Sequence, residues 1–103
     1  MTEIIKMNHY KPTLTEEIKQ AIDKTLLFCS DELLKDISKA SNDIANKNKK
    51  ERLSGKFGKS AKAHPTMTEQ VAIYTADKAN TLYYAREDER MRISYLPSQK
   101  NYD

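Results

Sequence analysis

Residues 13–47, TLTEEIKQAIDKTLLFCSDELLKDISKASNDIANK, decide how this chain is read. Thr13-Leu14-Thr15-Glu16 has the form of a capping box. The first Thr oxygen accepts from the amide three residues on, and the Glu reaches back to the cap. Apolar residues then recur at Leu14, Ile18, Ala21, Ile22, Leu26, Cys29, Leu33, Ile37, Ala40 and Ile44. Steps of three and four place them on one helical face. Leu27, Phe28 and Leu34 widen that face in the middle. Asp31/Lys35 and Asp43/Lys47 are acid-before-base pairs, each adding about 0.3 kcal/mol to a helix. Ser30-Asp31-Glu32 offers a rival helix start that would split the run near Cys29. No Gly or Pro interrupts the run, so the expectation is one helix over about 14–47, with a kink allowed.

Upstream, residues 1–12 read as an arm that Ile4, Ile5, Met7 and Tyr10 could dock on the body. Pro12 ends it, because the residue before a proline is pushed away from helical dihedrals. Downstream, residues 46–64 (NKNKKERLSGKFGKSAKAH) carry seven Lys/Arg and one acid, a net of +6. The rest of the chain carries eleven Lys/Arg and fourteen acids, a net of −3. Both glycines, Gly55 and Gly58, lie in this stretch with Ser54 and Ser60, and Pro65 closes it. Residues 48–65 are therefore expected to be a flexible basic connector. Helix–helix connections more often take about 2–8 residues, and longer ones are usually functional or disordered.

Thr66-Met67-Thr68-Glu69 is a second capping box. It opens an expected helix over about 66–92. Met67, Val71, Tyr74, Leu82, Ala85 and Ile93 form one stripe on it. Ala72, Ala76, Ala79 and Tyr83 form an adjacent stripe of mostly small residues that would let another helix approach closely. Glu87/Arg90 and Asp88/Arg92 are favourable helical pairs. The alternation in Arg90-Met91-Arg92-Ile93-Ser94-Tyr95-Leu96 also suits a strand, with 71–75 and 81–86 as partners in a meander. The turns that meander needs, 76–80 and 87–89, contain no Gly. Residues 97–103 read as a frayed tail.

The fold class expected is thus all-α: a long helical hairpin, with an α+β arrangement as the alternative. The single domain spans 13–96. Apolar content of 38% against 32% charged, with no Trp, is lean for a core. Small domains bury proportionally little surface and need outside support. Cys29 stands alone, so no disulfide forms within the chain. His9, His64 and Cys29 show no metal-ligand spacing, and no cofactor is expected. A homo-oligomeric bundle is the support that remains. There is no secretory pattern, and the longest apolar run, Leu26-Leu27-Phe28-Cys29, is far short of the ~20 residues a spanning helix needs. The reading is a cytoplasmic protein with no membrane partner.

Gly55-Lys56-Phe57-Gly58-Lys59-Ser60 has the look of a phosphate loop. The motif needs a Gly where Leu53 stands, a strand before it and a helix directly after it. It is rejected. Sequence-independent contact with nucleic acid suits the segment better. Lys47, Lys49, Lys50, Arg52, Lys56, Lys59 and Lys62 would neutralise phosphates, and Phe57 would stack on a base. The bland alternative is a solvated loop that keeps the protein soluble. In the cluster from Arg86 to Arg92, Arg86 and Arg90 are candidates for a protein partner by charge complementarity, against the plainer reading of a self-paired helix surface. Carboxylates beside arginines stay ionised and make poor general acids. Tyr84 falls towards the polar side of its helix and is the strongest single candidate for a partner contact. His9, His64 and Cys29 have no catalytic partner that spacing can identify.

The expected function is that of a non-catalytic adaptor, regulator or inhibitor that binds a macromolecule, in keeping with a bacterial or mobile-element system. A nucleic-acid-binding accessory protein is the alternative, and sequestration of a small anionic ligand such as a nucleotide is a weaker one. Salt separates the first two, because phosphate contacts weaken steeply as ionic strength rises.

Overall fold

The computed structural model describes residues 13–94. The expected arm 1–12, the tail 97–103 and the last two residues of the 90–96 alternative lie outside the described residues. The elements are α1 (Glu16–Leu27), α2 (Asp31–Leu53), the single-turn α3 (Lys59–Ala63) and α4 (Met67–Ser94). The described part is all-α, with no strand. Residues 71–75, 81–86 and 90–94, which a meander would have used, all lie within α4.

α4, 28 residues long and so roughly 42 Å, carries the other helices. α2 runs antiparallel to it. Asp31 at the start of α2 meets Arg86 and Arg90, Ser38 Oγ donates to the Ala76 carbonyl at 3.4 Å, and Arg52 meets Glu69 at the far end. The seam is made of small residues: Ser41 and Ala45 from α2, and Ala72, Ala76 and Ala79 from α4, are all buried. Small side chains let two helices approach closely. That closeness is what brings a serine hydroxyl to a backbone carbonyl of the neighbouring helix. Of the two α4 stripes read from the sequence, the alanine stripe packs against α2, while Leu82 of the other joins the core and Tyr74 reaches Asp23 of α1. Met67 and Val71 of the other stripe line an open groove beside the seam with Ile44.

The single helix expected over 14–47 is two helices. α1 ends at Leu27, and Phe28 and Cys29 donate their amides back to Thr25 and Leu26 carbonyls. Ser30 then caps α2, its Oγ accepting from the Leu33 amide at 3.1 Å. Asp31 and Glu32 in the first turn complement the positive end of the helix. Tertiary packing decides for the break. Asp31 already lies level with Arg86 and Arg90, near the C-terminal end of α4. A straight continuation would carry Ile18, Ile22 and Leu26 past α4 into water. Folding back lays α1 parallel to α4 and buries Leu14 and Leu26. Leu26, Leu34 and Ala79 form the core where the three helices meet, with Ile22, Ile37, Leu82 and Tyr83 around it.

The α1 cap is also displaced. Thr15, not Thr13, accepts from the Ile18 amide at 3.2 Å. Either threonine could cap. The later one leaves Leu14 in front of the helix, where it is buried and donates its amide to Gln70 Oε1 at 3.1 Å. Asp23 accepts from the Tyr74 hydroxyl through both carboxylate oxygens, at 2.9 and 3.1 Å. Burial first, and then Asp23, push the Tyr74 phenol above its ordinary pKa.

Candidate functional site

The basic segment has defined local structure. α2 does not stop near residue 47 but runs to Leu53. Its end is a Schellman motif: Lys56 N donates to Glu51 O and Gly55 N to Arg52 O, both at 3.1 Å. Gly55 takes the left-handed position this requires, at φ 92°. Gly58, at φ 97° and ψ 170°, opens α3 in a conformation that is essentially reserved for glycine.

Arg52 holds this loop to the bundle. Its Nε and Nη2 donate to the two oxygens of Glu69 at 2.7 and 3.1 Å, and its Nη1 to the carbonyls of Lys62 and Ala61 at 2.8 and 3.4 Å. The side chains of Arg52 and Glu69 are 8% and 3% exposed. The second capping box is therefore half built. Thr66 Oγ1 accepts from the Glu69 amide at 3.1 Å, but the Glu69 carboxylate goes to Arg52. Arg52, expected among the phosphate contacts, belongs instead to the fold. Lys47, Lys49, Lys50, Lys56, Lys59, Lys62 and Phe57 are exposed. Lys56 Nζ lies 3.1 Å from Glu51 and 6.0 Å from the centre of the Phe57 ring. Phe57, Pro65 and Met67 wall a hollow of about 280 Å³ beside the loop, with Ser60, His64 and Thr66 at its polar side.

The opposite end of the bundle has a second arginine centre. Arg86 Nη1 donates to the Cys29 carbonyl at 2.7 Å and to Asp31 at 3.1 Å, and Nη2 donates to the Leu27 carbonyl at 3.1 Å. Arg90 pairs with the other oxygen of Asp31 and with Glu87 at 2.7 Å. The Arg86 hydrogen bond comes first among the causes that hold the Asp31 carboxyl below its ordinary pKa. The expected Glu87/Arg90 pair forms, while Arg92 takes Glu89 at 3.2 Å rather than Asp88. The guanidinium of Arg86 thus fastens the elbow between α1 and α2. The elbow presents Phe28, 91% exposed, and Leu27, 62% exposed, to solvent. A hollow of about 230 Å³ lies next to Leu27, between α1 and α4, walled by Leu26, Leu82 and Ala85 with Asp23, Lys78 and Thr81. Tyr84 is 57% exposed, its ring edge-on to Tyr83 at 5.3 Å.

The fold does not bring the residues singled out from the sequence into one place. The lysines and Phe57 gather at one end. Arg86 and Arg90 lie at the other, engaged with Asp31, and Tyr84 stands on the α4 surface nearby. The elbow residues Leu27 and Phe28 were read only as width on a helical face. Ser30-Asp31-Glu32 was the signal that could have placed them on a turn. The Arg52–Glu69 pair leaves no such signal, since it joins residues seventeen positions apart through a loop. Among the described residues, no helix is long and apolar enough to cross a membrane. No protein-family model, no curated protein and no solved structure matches the chain.

Proposed function

We propose that this protein acts by binding, not by catalysis, and that it docks a protein partner at the elbow end. The observation that carries this reading is Phe28. A large aromatic side chain stands almost wholly in water on a turn that Arg86 and Asp31 hold in place. An aromatic anchor on a pre-organised turn is the kind of residue that dominates interface energetics. Leu27, the hollow beside it and Tyr84 extend the same end. The perturbed groups agree with a binding role. Asp31 is held lower, and Tyr74 and Arg90 higher, so each keeps its ordinary charge state at neutral pH. A general acid or base needs the reverse.

The proposal includes self-association into a helical bundle. Leu34 is the large side chain fully buried among the described residues, whereas eleven large apolar ones are substantially exposed. A core this thin is usually supplemented by another chain. A second reading, contact with nucleic acid through Lys47, Lys49, Lys50, Lys56, Lys59 and Lys62, is favoured by the loop's defined shape, because a solubility loop needs no buried pin.

Affinity capture from the source lysate, with and without nuclease, tests the main reading. Nuclease-resistant recovery of one protein by the wild type, lost with Phe28→Asp, supports it. The same recovery with Phe28→Asp, or loss of every partner to nuclease, contradicts it. Sedimentation as a stable monomer would remove the bundle.

A further inference from the structure

We infer that the hollow beside Phe57 accepts one unpaired base of a single-stranded nucleic acid, with the flanking phosphates neutralised by Lys56, Lys59 and Lys62. The inference rests on the nucleic-acid reading and gives it a site. Its volume, about 280 Å³, falls just under the ~300–1,000 Å³ of pockets for drug-sized ligands. It therefore suits a single flat ring system. Phe57, Pro65 and Met67 supply apolar walls for the faces of that ring. The Ser60 hydroxyl and the His64 imidazole can meet its polar edge. Lys56 Nζ lies over the Phe57 ring, 6.0 Å from its centre and 3.1 Å from Glu51, so a cation borders the stacking surface and a phosphate would compete with Glu51 for it. Stacking on an aromatic ring beside a cationic track is how proteins grip single strands without reading sequence.

Two features argue for this occupant. Residues 46–64 carry seven cations and one acid; Arg52 is matched by Glu69 and Lys56 by Glu51, so the surplus that faces outward is Lys47, Lys49, Lys50, Lys59 and Lys62. The loop is also built before any ligand arrives, since Arg52 fixes the Ala61 and Lys62 carbonyls. Little ordering entropy is then lost on binding. A duplex hides the faces of its bases in the stack and would meet only the lysines.

The test is fluorescence anisotropy with a short oligothymidylate carrying one 2-aminopurine. It is run over a salt series against the matching duplex and a Glu-rich peptide containing one Tyr. The single strand should bind best, with 2-aminopurine quenched. Phe57→Leu should weaken it roughly tenfold, abolish the quench and leave the salt slope unchanged. Phe57→Tyr should restore both. Lys59→Gln with Lys62→Gln should lower the salt slope by about 0.7 per charge removed. If Phe57→Leu fails to fold, the wild-type quench and the lysine slopes still decide. Equal binding of single strand and duplex, or an unchanged affinity in folded Phe57→Leu, overturns the base site while leaving phosphate contact standing. A peptide that binds as tightly as the single strand overturns it in favour of an acidic protein segment. No nucleic-acid binding at low salt overturns both.

Discussion

Arg52 and Arg86 play the same part at opposite ends of the molecule, Arg52 with two bonds to its carboxylate and Arg86 with one. Each guanidinium donates to two backbone carbonyls of a neighbouring segment and to one carboxylate. Arg52 ties α3 and the basic loop to Glu69, and Arg86 ties the elbow to Asp31. They differ in burial. The Arg52–Glu69 pair is 8% and 3% exposed, and the Arg86–Asp31 pair 28% and 32%. A buried ion pair is costly to break from one side, because the abandoned charge stays in a poor solvent. A half-exposed pair lets water and salt take over. Burial and the second carboxylate bond together set the two ends apart. The basic end is locked, and the elbow is the end that gives way first.

Arg52→Ala should have the largest effect. It strands the Glu69 carboxylate and releases α3, and Tm should fall on the order of 15 °C, with little dependence on salt. Limited proteolysis should then cut within residues 54–65. Arg86→Ala should lower Tm by roughly 8 °C at low salt and by clearly less at high salt. Equal losses for the two arginines would show that burial does not set their contributions apart. Ser30→Ala removes the α2 cap and should cost about 1 kcal/mol in denaturant unfolding.

The smallest effect is one of pH. Asp31 has a lowered folded-state pKa, from an ordinary value of 3.8, so its contribution is full above that value. It is lost as pH falls further, through the folded-state pKa. The protection factors of the elbow amides should therefore begin to fall below about pH 4, and Asp31→Asn should remove this part of the acid response. An elbow unaffected down to the acid limit would show that Arg86 holds it through the carbonyls alone.

The local marks of the fold were legible in the chain. The alanine stripe of α4 and the helix start at Thr66 follow from periodicity and capping chemistry, while the alternation from Arg90 onward also suited a strand and only the lack of turn glycines spoke against it. The break at residues 28–30 was visible only as an alternative. The Ser30-Asp31-Glu32 cap permits it without deciding it, and the burial of Leu14 and Leu26 on α4 decides. Gly55 carried more information than composition suggests. Read as the left-handed residue after a helix, it would have extended α2 to Leu53. Taken with Gly58 as a mark of looseness, it hid a turn and a pinned loop. Lys47, Lys49, Lys50, Lys56, Lys59, Lys62 and Phe57 are exposed, the first three on the end of α2 and not in a loose connector. Arg52 looks like their neighbour in sequence, and its partner Glu69 could not be identified without the fold.

Native-state hydrogen exchange at Gly55, Lys56 and Gly58 tests most directly whether the basic segment is a held scaffold. Their amides donate to Arg52, Glu51 and Gly55 carbonyls. The account predicts measurable protection at all three in the wild type, lost in Arg52→Ala while α1 amides keep theirs. Exchange of all three at the rate of an unstructured chain, in wild-type protein whose α4 remains protected, would contradict it.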